Sequence, residues 1–116
     1  MPESKVEMTV RNVSPTVTVI DISGEVTAFA EPVLSQAFEE ASAEGVDTVV
    51  LNFADMDYMN SGGIGLLVTT LIRANRNNQQ MRAFGLTEHY RQILSLTRLD
   101  EAIAIFDDEP AAVGSG

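Results

Sequence analysis

The sequence predicts one α/β domain in which helices pack on a sheet with parallel strands. Three observations lead there. The chain of 116 residues has the length of one ordinary domain, and 45% hydrophobic residues are enough to build a core. Its apolar residues recur with the period of a strand in some segments and the period of a helix in others. After an opening hairpin, two strand–helix–strand crossovers follow in succession, the connection that parallel neighbours need.

Each element has its own local reason. Residues 6–13 and 16–22 alternate apolar and polar side chains, and Ser14-Pro15 between them is a turn signal, so they pair as a hairpin that Gly24 ends. Glu31-Pro32 suits the first turn of a helix, and Val33, Leu34, Ala37, Phe38 and Ala41 mark its buried face up to Gly45. Residues 48–53, Thr-Val-Val-Leu-Asn-Phe, read as a strand buried on most of its surface. A turn follows, in which Asp55 and Asp57 read as solvating residues. Beyond it Ile64, Leu67, Val68, Leu71 and Ile72 recur at helical spacing and predict an apolar stripe on a helix that runs to about Asn75, with Asn77-Asn78 as breaker. Residues 81–86 are strand-like, Thr87 is a good N-cap, and Tyr90, Ile93 and Leu94 give a short helix its inward face. Residues 102–106 form the last strand. From Asp107 the chain begins a helix, and its end within 108–116 is expected to fray. With no internal repeat or linker, residues 1–116 are expected to form a single domain.

Composition narrows the function. Seventeen acidic residues against seven basic ones leave a net charge of −10, a field that disfavours nucleic acid and anionic membrane surfaces. No run approaches the roughly 18 to 20 apolar residues of a membrane span, and Met-Pro-Glu-Ser-Lys-Val-Glu lacks the pattern of a signal peptide, so a cytoplasmic location is expected. Without cysteine there is no thiol nucleophile or cysteine metal site, and His89 as the single histidine reads as a surface or boundary residue. Asp55 and Asp57 alone fall short of a cation site. Neither catalysis, a metal nor a cofactor is expected.

Attention therefore falls on residues 55–66, Asp-Met-Asp-Tyr-Met-Asn-Ser-Gly-Gly-Ile-Gly-Leu, which place Ser61 in a strand-to-helix turn. The first N–H groups of a helix lack intrahelical partners, and the positive end of its dipole points at the preceding residues. Two roles are open to Ser61 on these grounds. It can cap the helix, or its hydroxyl can serve another molecule, with Gly62, Gly63 and Gly65 removing side chains so that a backbone or phosphate comes close. Ser61 is not in the Gly-x-Ser-x-Gly context of a hydrolase, and Gly62 to Gly65 lack the Lys-Ser/Thr of a nucleotide loop.

The segment Tyr58-Met59-Asn60-Ser61-Gly62-Gly63-Ile64-Gly65, after an apolar strand and Asp55, resembles the signature of the STAS domain family, in particular its bacterial anti-sigma factor antagonists. Ser23-Gly24-Glu25-Val26 is similar to the turn after the family's second strand, and residues 87–105 to its closing helix and strand, so the resemblance covers nearly the whole chain. It implies a mixed β-sheet of about four to five strands with helices packed mainly on one face. It also implies a partner switch without enzymatic activity of its own. Unphosphorylated, such an antagonist binds an anti-sigma factor that is also a serine kinase, and phosphorylation at the position of Ser61 breaks the complex until a serine phosphatase restores it. Asn60, Gly62, Gly63, Gly65, Leu66, Thr69, Thr70, Arg73 and Thr27 are the expected partner-binding positions, in a monomer or weak homodimer. Three positions depart from the family's habit: Asn60 where many members carry aspartate, Gly62 where a second Ser or Thr often follows, and Thr27 where many antagonists are acidic. The alternatives are a STAS module that binds partners without being phosphorylated, as a signalling scaffold or a transporter accessory subunit, and a small-molecule or nucleotide sensor.

Overall fold

The computed structural model describes residues 5–114. Its alternating apolar residues pair β1 (Val6–Asn12) with β2 (Val17–Val26) as an antiparallel hairpin, from Val6 opposite Gly24 to Asn12 opposite Thr18. The Ser14 hydroxyl oxygen accepts from the N–H groups of Thr16 and Val17 and so shapes the turn. The other strands, β3 (Thr48–Met59), β4 (Gln80–Phe84) and β5 (Ile103–Phe106), follow in sequence order and each runs parallel to its predecessor. The result is a mixed five-stranded sheet in a single α/β domain, the fold class expected.

Side chains of successive strand residues point to opposite faces, which separates two cores. Ile20, Ile22, Val49, Leu51, Met81, Ala83 and Ile103 lie on the larger one. There they meet α1 (Glu31–Ala41) through Ala37, Phe38 and Ala41, α2 (Ser61–Arg76) through Leu67 and Ala74, and α3 (Glu88–Leu96) through Leu94. Val19, Val50 and Phe84 belong to the smaller one, which Ala112 of α4 (Glu109–Val113) covers. Three helices thus share one face and α4 alone takes the other. Asp108 caps α4 by accepting from Ala111 N–H at 3.0 Å. Arg11 donates to both Asp21, at 2.9 Å, and Glu109, at 2.8 Å, so β1, β2 and α4 are tied together.

Two strand ends differ from the expectation, and together they build the site. β2 passes through Gly24, at φ +94°, and continues to Val26, while β3 continues beyond Phe53 to Met59. The extensions pair with each other, Ser23 with Asp55 and Val26 with Met59, across irregularities in register. Asp55 and Asp57 are consequently exposed strand residues and not members of a turn. Gly85, at φ +85°, ends β4 against Ala54, so β3 has β4 beside it only over residues 48–52.

Candidate functional site

The extended pair β2–β3 carries the strand-to-helix turn beyond the rest of the sheet. Asn60 caps α2: its Oδ1 accepts from Gly63 N–H at 3.1 Å, its backbone is extended, and its own N–H donates to Val26 O at 3.3 Å. Ser61, read from the sequence as a candidate cap, is instead the first residue of the helix. The reason is local: an asparagine carbonyl one position earlier already takes the free N–H group. The Ser61 side chain is exposed, and its hydroxyl has no hydrogen-bond partner among the described residues.

The three glycines divide by what surrounds them. A Cβ on Gly62 would stand 2.9 Å from Ala28 N, and one on Gly63 would run into Val26 O and come within 2.8 Å of Met59 Cγ. These two serve packing inside the domain, where the segment between β2 and α1 crosses the start of α2. Gly65 has nothing within 4 Å of its Cβ position and alone leaves open space for another molecule.

α2 keeps Ile64, Leu67 and Leu71 of the expected stripe against the main core, but it is rotated enough to turn the rest of the stripe outward. Its buried residues are Gly63, Leu67, Thr70 and Ala74: Leu67 fills the core, and the other three are small enough to let the helix sit close to the sheet. Val68 and Ile72, expected inside, are 39% and 48% exposed. Thr70, expected on the partner face, is buried, with its hydroxyl donating to Leu66 O at 2.7 Å. That internal bond removes the cost of burying a threonine. Leu66 and Arg73 are half-buried beside α1, and Arg73 donates to Ser35 Oγ at 3.1 Å with its guanidinium 5.0 Å from the centre of the Phe38 ring. From its start to Ile72 the outward face of α2 is therefore Ser61, Gly65, Val68, Thr69 and Ile72, an uncharged ridge that ends at the exposed Asn75 and Arg76. The 4–3–4 spacing of Gly63, Leu67, Thr70 and Ala74 was the signal for this orientation, masked by the stronger apolarity of valine and isoleucine.

The exposed acidic residues around the turn are Glu25 at the end of β2, Glu31 at the start of α1, and Asp55 and Asp57 on β3, and Lys5, Tyr58 and His89 are exposed beside them. Thr27 caps a 3-10 turn at Ala28–Ala30, its hydroxyl oxygen accepting from Phe29 N–H at 3.2 Å, and Phe29 is 82% exposed. Sequence reading placed Tyr90 on the inward face of α3 and missed its reach to the turn, where its hydroxyl oxygen accepts from Met59 N–H at 3.0 Å. No group of three or more His, Cys, Asp or Glu among the described residues is placed to hold a metal ion. An open hollow of about 520 Å³, among Val13, Thr16, Asp47, Gln80 and Arg82, lies at the opposite end of the parallel strands.

Residues 8–112 match the family model of the STAS domain. The chain belongs to the STAS domain family. An anti-sigma-B factor antagonist of Staphylococcus epidermidis is 28% identical over 86 residues, which cover 74% of this chain and 80% of that protein. Two solved structures share the STAS fold. An anti-sigma factor antagonist from Mycobacterium paratuberculosis superposes with a TM-score of 0.75 at 20% identity, over 90% of this chain and 87% of the other. The Bacillus cell fate determinant SpoIIAA in its phosphorylated form gives 0.68 at 20% identity, over 90% and 95%. No helix of this STAS protein, among the described residues, is long and apolar enough to cross a membrane.

Proposed function

We propose that this STAS protein is a cytoplasmic anti-sigma factor antagonist that changes partner according to the phosphorylation of Ser61. Unphosphorylated, it binds an anti-sigma factor with serine kinase activity; phosphorylated, it is released, and a serine phosphatase returns it to the binding form. It is the substrate of these reactions and does not catalyse them. The observation that carries this reading is the exposed Ser61 hydroxyl, without a hydrogen-bond partner among the described residues, at the first turn of a sixteen-residue helix and one turn before the open position at Gly65.

The physics of that place suits a switch. A phosphoserine brings close to two negative charges, and the positive end of a helix accommodates them without unfolding it. The effect is then outward. On a ridge formed by Gly65, Val68, Thr69 and Ile72 the new charge meets a partner surface that had fitted an uncharged one. Desolvation and like-charge costs of a few kcal/mol change partner preference by orders of magnitude. The acidic residues nearby raise the electrostatic cost of placing a phosphate against an uncharged or acidic partner surface.

Incubation with ATP and the host's candidate serine kinases tests the proposal by intact mass. One phosphate is expected on the wild type and none on Ser61→Ala. Full modification of Ser61→Ala, or no modification of the wild type by any of the kinases, would sink it.

A further inference from the structure

β3 outruns its neighbour on one flank. It pairs with β2 as far as Met59 but with β4 only over residues 48–52, because β4 turns away at Gly85. Successive N–H groups of a strand point to opposite flanks. Asn60 N–H goes to Val26 O of β2, so Met59 N–H faces the side that β4 has vacated. There it meets the Tyr90 hydroxyl at 3.0 Å, across 31 residues of sequence. Tyr90 is half-buried against the main core, in the first turn of α3, with its ring edge-on to His89 at a centroid distance of 4.9 Å. Met59 is buried, and Ser61 follows it by two residues.

We propose that Tyr90 is the positioning residue of the Ser61 turn, an inference whose consequence for phosphoryl transfer rests on the proposed role of Ser61. The phenolic oxygen stands in for the carbonyl that β4 does not supply. With Asn60 N–H held by Val26 on one flank and Met59 N–H by Tyr90 on the other, the end of β3 is fixed from both sides, and the direction in which Ser61 is presented is set. Among the described residues, no other side-chain hydrogen bond from α3 reaches this turn. Tyr90→Phe keeps the ring and its packing and removes only the acceptor. The turn then samples other orientations while the docking ridge on α2 stays intact.

Two measurements on Tyr90→Phe test this. The amide exchange rate of Met59 is expected to rise about tenfold, the scale of one lost hydrogen bond. The Val50 and Leu51 amides should speed up less than the Met59 amide, and the denaturation midpoint should fall only slightly. With ATP and a host kinase that modifies Ser61, the phosphorylation kcat is expected to fall several-fold while KM for this protein holds. Unchanged Met59 exchange overturns the placement of Tyr90. Faster exchange with unchanged kcat and KM overturns its role in presenting Ser61. If the wild type is never phosphorylated, the function proposed for Ser61 fails, and the exchange rates still decide whether Tyr90 holds the turn.

Discussion

Gly63 and Gly65 stand two positions apart on the same helix and respond to an added methyl group in opposite ways. At Gly63 the methyl meets Val26 O and Met59 Cγ, and a backbone carbonyl cannot step aside. Gly63→Ala should lower stability by about 1–3 kcal/mol, the range of overpacking in a filled core, as read from urea denaturation. At Gly65 there is open space, and replacing glycine by alanine inside a helix contributes about 1 kcal/mol. Gly65→Ala should therefore raise stability and yet weaken calorimetric binding of the proposed anti-sigma partner; equal or tighter binding would remove Gly65 from the proposed docking face. Asn60 is a third position with a definite cost. Asn60→Ala loses the cap on Gly63 N–H and should cost about 1 kcal/mol, whereas Asn60→Asp keeps the acceptor and should cost nothing before phosphorylation. The place of Ser61 was legible because glycines and a strand-to-helix change of period surround it. That Asn60 and not Ser61 caps the helix was not, since both are good caps and only the backbone shows which one is extended.

At the scale of elements, β1, α1, α3 and the succession of strands and helices along the chain could be read from period and punctuation alone. What could not be read were the ends of β2 and β3 and the rotation of α2. The extensions of β2 and β3 exist only because each pairs with the other, a long-range condition that Asp55 and Asp57, poor strand formers, argue against locally. The rotation of α2 follows from close approach of small residues to the sheet, and a hydrophobicity count gives those little weight. The two readings of α2 separate by mutation. Leu67→Ala, in the core, should cost about 2–5 kcal/mol. Ile72→Asp, on the exposed ridge, should leave stability within about 0.5 kcal/mol and weaken partner binding. A large stability loss in Ile72→Asp would show that this helix faces the other way.

For the whole molecule the connection between α4 and the hairpin matters most. The Arg11 guanidinium, and after it the Asn52 amide, hold the Asp21 carboxyl below its ordinary range. A lowered carboxyl contributes stability that is fully present above its unfolded value of about 3.9 and is lost as pH falls through the folded value. Asp21→Asn should therefore flatten the acid limb of the stability profile below about pH 4. Because Arg11 and Asp21 are partly exposed, the loss at neutral pH should be about 1 kcal/mol or less. An acid limb unchanged by Asp21→Asn would remove this pair from the account. The same connection has a kinetic consequence. Arg11 and Glu109 are 98 residues apart in sequence, so their contact must wait until the sheet between them has formed. Interactions made after the transition state leave the folding rate alone and slow only the reverse step. Glu109→Gln should steepen nothing on the refolding arm of a chevron and lift the unfolding arm, so that α4 works as a late latch that sets how long the folded domain lasts.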